Sequence, residues 1–327
     1  MTKDTNNMIR GTEEFYIDSG VLVEYTGSNP VVVVPSGVTG IVNAAFQNAE
    51  FITSVTIPAS VTDISFGIFA QCPLLDELSV DEQNPKYYSV DNCIINKKTK
   101  ALIAGCKNSV IPNDVTSIGD YAFSRCGGLK NADIPDGVKS IGNFAFRVCG
   151  GLKSVTIPDS VKSIGIDAFQ ECTALKNITV PNGVTVIEEG AFFGCKALKS
   201  VVLPSGVTSI GETSFHSCAA LKSIDIPDSV TEISHGAFTG CKSLTSVVLP
   251  NGVTFIGDSA FENCIGLKEI NIPDSVKSIG VYAFKKCTAL TSIIFNGTTE
   301  KWNAIEKGED WDIKTGKYTV RCTDGEA

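Results

Sequence analysis

The chain has 327 residues and a formal net charge of −9 at pH 7. That balance argues against general nucleic-acid binding, which needs a basic footprint. No apolar run approaches the roughly 18–20 residues of a membrane-spanning helix, and the length allows two ordinary domains or one elongated one.

Residues 1–10 carry no pattern and read as an unstructured N-terminus. "MTKDTNNMIRGTEEF" has no apolar core, so it is no signal peptide. That leaves a cytoplasmic chain, or an exported one whose leader has been removed. Residues 11–35 read as a hairpin around "EYTGSNPV" that covers the first coil. Two repeats occupy 36–81. Residues 82–111 hold an eight-residue excess over one period, since Asp81 and Pro112 are 31 apart, and "CIINKKTKALIAGC" reads as an inserted hairpin with a polar turn. This insertion is either a plain elaboration or a projecting recognition element with Tyr87 and Tyr88 as contacts. Regular repeats run from 112 to 294. Residues 295–327 form a different end, with a short Thr-capped helix at "TTEKWNAI" and a strand at "KYTVRC".

The repeat is the dominant signal. Cysteines stand at 126, 149, 172, 195, 218, 241, 264 and 287, each 23 residues after the last. One unit reads "LKSVTIPDSVKSIGIDAFQECTA", 152–174. Val155 and Ile157 alternate with Ser154 and Thr156, which is strand periodicity with one buried face. "PDSV" is a turn, with Pro presetting φ and Asp tolerating turn geometry. Val161 and Ile164 belong to a second short extended segment. Ala168, Phe169, Cys172 and Leu175 fall on one face of a single helical turn, which Asp167 or a neighbouring residue caps. Such a unit buries nothing alone, so the units must stack into continuous columns. Roughly eleven coils, advancing about 4.8 Å each, predict a rod of about 50 Å with right-handed crossovers.

The pattern "LxxVxIPxxVxxIGxxAFxxCxx" resembles the BspA-like class of leucine-rich repeats. The resemblance covers nearly the whole chain. It implies a repeat solenoid, a leucine-rich-repeat superhelix with short parallel strands on its concave face. It implies caps at 11–35 and 295–327. It also implies a surface or secreted adhesion module that binds host or neighbouring-cell macromolecules. The other open reading is an intracellular or periplasmic scaffold or inhibitor with one protein partner.

Chemistry-bearing motifs are missing from the sequence. There is no phosphate loop, dinucleotide fingerprint, H-E-x-x-H, C-x-x-C or nucleophile elbow. His216 and His235 occupy variable sites and read as two exposed residues at different points of the coil. No catalytic residue, cofactor or metal is expected. The column Cys126 to Cys287 points inward and is expected to be reduced and inert. Cys93 and Cys106 could pair if the insert has the right register. Trp302 and Trp311 are expected to seal the last coil. Asn177 and Asn296 head glycosylation triplets, which mean little in a bacterial setting.

The binding candidates lie on the strands. Lys130, Lys153, Lys176, Lys199, Lys222 and Lys268 share one register, interrupted by Thr245. They form either a solvated edge or an electrostatic track for an acidic protein or glycan on the concave face. Val202, Val248 and Ile294 are the apolar residues at the outward strand site, expected to face solvent. The chain is expected to be monomeric, without nucleic acid or membrane span.

Overall fold

The structure, a computed structural model, describes residues 14–43, 45–47 and 49–327. The segment 1–10 expected to be unstructured lies outside the described residues. The remainder is a β-solenoid of 23-residue coils with little helix.

The coil containing Phe169 shows how the sequence folds. Strand Ser154–Thr156 pairs in parallel with Asn131–Asp133 of the coil before it. The Pro158 turn closes with the Val161 N–H donating to the Pro158 carbonyl at 3.1 Å. Strand Ser163–Ile164 then pairs in parallel with Ser140–Ile141. Partners are 23 residues apart, so like stacks on like and one-residue slips are excluded by the buried face.

The segment after Gly165 is a ribbon of linked turns. Alternate N–H groups serve the same coil and the next one. Ala168, Gln170, Cys172 and Leu175 donate to carbonyls three residues back. Asp167, Phe169 and Glu171 donate to Glu189, Ala191 and Phe193 of the following coil at 2.6–2.9 Å. All seven amides are thereby satisfied. The inward set Ala168, Phe169, Cys172 and Leu175 is as expected, each buried. The geometry needs two left-handed residues per turn, here Asp167 at φ 53° and Glu171 at φ 56°. The next coil meets the same need with Gly190 and Gly194, where the left-handed backbone carries no side-chain penalty.

Stacking of these turns produces two interior columns. Eight phenylalanines from Phe123 to Phe284 lie face to face, with centroids 5.1–5.7 Å apart and planes within 2–14°. Beside them, each thiol from Cys149 to Cys287 donates to the phenylalanine carbonyl of the preceding coil at 3.0–3.2 Å. All twelve cysteines are free thiols. Burial pushes Cys195, Cys241 and Cys287 up to about 12. Cys126 departs from the expected burial: it is partly exposed, because the coil before it has no phenylalanine turn. Since thiolate is the reactive form, Cys322 is expected to react first with a thiol reagent on the native protein, whereas burial pushes Cys126, although partly exposed, up to about 12 as well. Cys149 to Cys287 should stay protected until unfolding. Rapid native labelling of Cys172 or Cys218 would contradict the packing.

The second strands from Gly40–Ile41 to Ser278–Ile279 number eleven, counting Ala101–Gly105, and pair in three separate sheets, with breaks after Asp63–Ile64 and after Ser163–Ile164. Val21–Tyr25 adds a rung at one end and Glu306–Lys307 adds one at the other. The N-terminal hairpin pairs Phe15–Asp18 with Val21–Tyr25, so its turn is Ser19-Gly20. It is not the expected "EYTGSNPV" turn, since Ser19 and Gly20 both take positive φ there and a two-residue loop with that geometry matches strand twist. At the far end, helix Thr299–Ala304 is capped by Thr298, whose side chain accepts from the Lys301 N–H. Trp311 lies edge-on to Phe284 at 5.9 Å and ends the phenylalanine stack. Trp302 is buried against Phe295.

The insertion is a three-stranded antiparallel meander, Tyr87–Val90, Cys93–Asn96 and Ala101–Gly105. It is not a projecting element. Both faces of its central hairpin are buried. Ile94, Ala104 and Cys106 join the core of the N-terminal coils. Cys93, Ile95 and Leu102 join the core of the remaining coils. Cys93 and Cys106 therefore serve opposite cores and stay unpaired, donating to the carbonyls of Val110 and Asp76. Tyr87 is buried, and Tyr88 is half-buried with its hydroxyl donating to Asp114 at 2.6 Å. Neither is a free contact, because the hairpin is the wall between two cores.

Candidate binding face

The strand-bearing side of the solenoid repeats one surface in each coil. In the unit 152–174, Lys153 precedes the strand, Ser154 and Thr156 point out, and Val155 faces the interior. Cross-coil hydrogen bonds tie the outward polar residues together. Ser154 donates to Asn131 at 2.7 Å, Thr156 to Asp133 at 3.0 Å, and Ser200 to Asn177 at 2.8 Å.

All six lysines of the column, Lys130, Lys153, Lys176, Lys199, Lys222 and Lys268, are exposed. Backbone bonds such as Lys153 N–H to the Lys130 carbonyl at 2.8 Å, and Lys199 to Lys176 at 2.7 Å, hold their register. None forms an ion pair among the described residues; the five ion pairs there use Lys100, Lys107, Lys196, Lys285 and Lys301. Coil spacing is about 4.8 Å, inside the roughly 8 Å screening length at physiological salt. Five consecutive lysines thus add their fields over about 19 Å. Asp133, Asp225 and Glu269 on the same face interrupt that field locally.

Val202 and Val248 face solvent, 57% and 64% exposed. Ile294 does not: it is half-covered, because the terminal strand Thr319–Cys322 pairs beside it and sets Arg321 opposite. Val31 and Val33, at the start of the same face, are exposed to a similar degree. Sequence reading overlooked them, because the "VVVV" run gives no alternation that marks which valines point out.

The two histidines part company. His235 is exposed. His216 is not: its ring lies flat on Phe193, 4.6 Å between centroids and 3° between planes. Its Nδ1 is buried without a partner among the described residues. Burial lowers its pKa below the ordinary 6.5, and Glu262 opposes the shift. The unfolded chain therefore takes up this proton first as pH falls. The contribution is whole above about pH 7 and is lost as pH drops through 6.5 toward the folded value. Unfolding midpoints are expected to fall between pH 7 and 5, and His216→Phe, which extends the ring stack, should flatten that slope. An unchanged slope would remove His216 as its source.

Among the described residues, no group of three His, Cys, Asp or Glu side chains could hold a metal ion, and no helix is long and apolar enough to cross a membrane. The chain is a repeat solenoid whose distinctive surface is a periodic polar face. The BspA type leucine rich repeat model matches in six copies, over residues 25–105, 94–222 and 208–307. The chain belongs to that family. Among solved structures, it is similar to a leucine-rich repeat protein from Bacteroides ovatus, with 26% identity and a TM-score of 0.56, covering 94% of this chain and 87% of that one. It is also similar to a leucine rich cell surface protein from Faecalibacterium prausnitzii, with 28% identity and a TM-score of 0.49, covering 92% and 98%. A third, from Eubacterium ventriosum, has 23% identity and a TM-score of 0.50, covering 87% and 64%. No curated protein matches the sequence.

Proposed function

We propose that this protein is a non-enzymatic interaction module. Its strand face takes an acidic macromolecule, protein or glycan, along the lysine column. The observation that carries this is six unpaired lysines in one register on a chain of net charge −9. A soluble acidic protein gains nothing structural from that alignment, since like charges about 5 Å apart repel. A partner of opposite sign would remove the repulsion and gain speed of encounter. Val202 and Val248, two coils apart, supply apolar contacts inside the charged track. An adhesion role at the cell surface or outside it belongs to this reading and rests on the family.

The test is capture of partners from host matrix proteins and bacterial surface extracts at low and at high salt. Captured material should dissociate as salt rises. The combined Lys153→Glu, Lys176→Glu and Lys199→Glu variant should lose binding by at least about tenfold at low salt, from the roughly 1.4 kcal/mol that a few rim charges supply together. Equal capture by the variant would sink the proposal.

A further inference from the structure

We propose that a hollow on the turn side of the solenoid is a binding site for a neutral sugar ring. It is independent of the lysine column.

The hollow exists because one turn is missing. From Phe123 to Phe261 each phenylalanine N–H donates to the carbonyl of the residue just before the next coil's phenylalanine, as Phe123 does to Ala145 and Phe192 to Ser214. In the inserted coil it is Gly105 that donates to Ala122, at 2.9 Å. Gly105 thus stands at a phenylalanine position. A Cβ there would lie 2.0 Å from Cε1 of Phe123, so the neighbouring ring already fills the space. The ridge of turns is therefore interrupted between Ala70 and Tyr121. On the floor of the gap the flanking coils touch, with Gly67 packed against the Tyr121 ring. What remains is a recess of about 570 Å³ bordered by Val42, Asn43, Ser65, Phe66, Ala70 and Tyr121.

The border selects the ligand class. Phe66 is 60% exposed. Its register position is held elsewhere by polar residues such as Asn43, Asp120 and Glu212, by His235, or by the aliphatic Ile166 and Val281, so a phenyl ring is peculiar to the edge of the gap. Tyr121 stacks on Phe144 at 4.6 Å and 15°, which fixes the plane of its ring. Phe66 thus offers an open ring face to an incoming ring, beside the partly covered Tyr121. Beside them, the Asn43 amide and the Ser65 hydroxyl have no side-chain hydrogen bond to the rest of the described protein. No Lys, Arg, Asp or Glu borders the recess. A charged ligand would find no counter-charge here. A wholly apolar ligand would cover the amide and hydroxyl and leave them unpaired, at a cost. A pyranose meets both demands, with C–H faces for the aromatics and hydroxyls for Asn43 and Ser65. The volume falls in the range of roughly 300–1,000 Å³ usual for small-ligand sites.

The test is saturation-transfer NMR on the whole chain with neutral trisaccharides of glucose, galactose, mannose and N-acetylglucosamine. At least one is expected to bind, with saturation strongest on its ring C–H protons. Phe66→Ala, at an exposed position that leaves the core intact, should weaken that binding by about tenfold or more. Asn43→Ala should weaken it several-fold. The triple lysine reversal should leave it unchanged, which separates this site from the strand face. Absence of transfer across the panel overturns the proposal. So does sugar binding that survives Phe66→Ala, or binding of a phenyl-bearing peptide at Phe66 in place of every sugar.

Discussion

Replacing Phe192 by alanine is expected to destabilise the protein by about 3–5 kcal/mol, the usual cost of emptying a phenyl from a packed interior. Phe192 is fully buried, with ring centroids 5.7 Å from Phe169 and 5.4 Å from Phe215. Its carbonyl also accepts the Cys218 thiol, at 3.2 Å. A cavity at this point loosens two coil interfaces at once. In a solenoid, stability is a sum of coil and nearest-neighbour terms, so the damage spreads along the stack only through those two interfaces. Denaturant unfolding checks the size of the effect. Val202→Ala, 57% exposed in the adjoining coil region, is the control and should stay within about 0.5 kcal/mol. A loss for Phe192→Ala no larger than for the control would mean that the stack contributes little.

Ile94→Asp is expected to separate the molecule into two unfolding units. Ile94 is fully buried, in the N-terminal core, while its neighbours Cys93 and Ile95 face the other core. A carboxylate on that wall has no partner, and an unpaired buried charge is among the few single changes that cost several kcal/mol. The regular coils beyond 112 keep their own phenylalanine stack and cysteine column. Calorimetry should therefore show one transition in the parent and two in the variant. Limited proteolysis should first remove the N-terminal coils and leave a resistant fragment beginning near 112. A single transition, shifted as a whole, would show that the wall does not couple the cores in this way.

The period of 23 was legible because cysteine, phenylalanine and proline each mark it independently. Stacking in register is its consequence, since only like-on-like pairing buries every Val, Ile and Leu column. The character of the turn was less legible. Positions i, i+1, i+4 and i+7 describe a helical face, yet the same spacing arises in linked turns whose amides alternate between coils. Hydrogen bonds to the following coil, such as Phe169 to Ala191, distinguish the two. A single unit read alone contains no sign of them.

The hairpin of the insertion was legible, with Cys93–Asn96 and Ala101–Gly105 antiparallel as expected, but its burial on both faces was not read. "CIIN" carries three apolar residues in a row, which a one-sided hairpin does not need. That run is the trace of a strand buried on both faces. His216 looked exposed because its site varies among coils, but its neighbour in the stack happens to be Phe193. Ile294 matched Val202 and Val248 in register and differed only in having the terminal strand beside it. The recess at Phe66 left one mark in the sequence: Phe69 and Phe123 are 54 residues apart, two periods plus eight.

By itself the sequence determined what is periodic: the coil, its buried columns and the lysine register. These depend on contacts between identical positions in adjacent coils, and a repeat states those contacts in advance. Only the tertiary structure decided what is aperiodic: the two-core wall, the covering of Ile294, the stacking of His216 and the gap beside Phe66. Each arises where a coil meets something other than its own copy, so packing between unlike segments settles it.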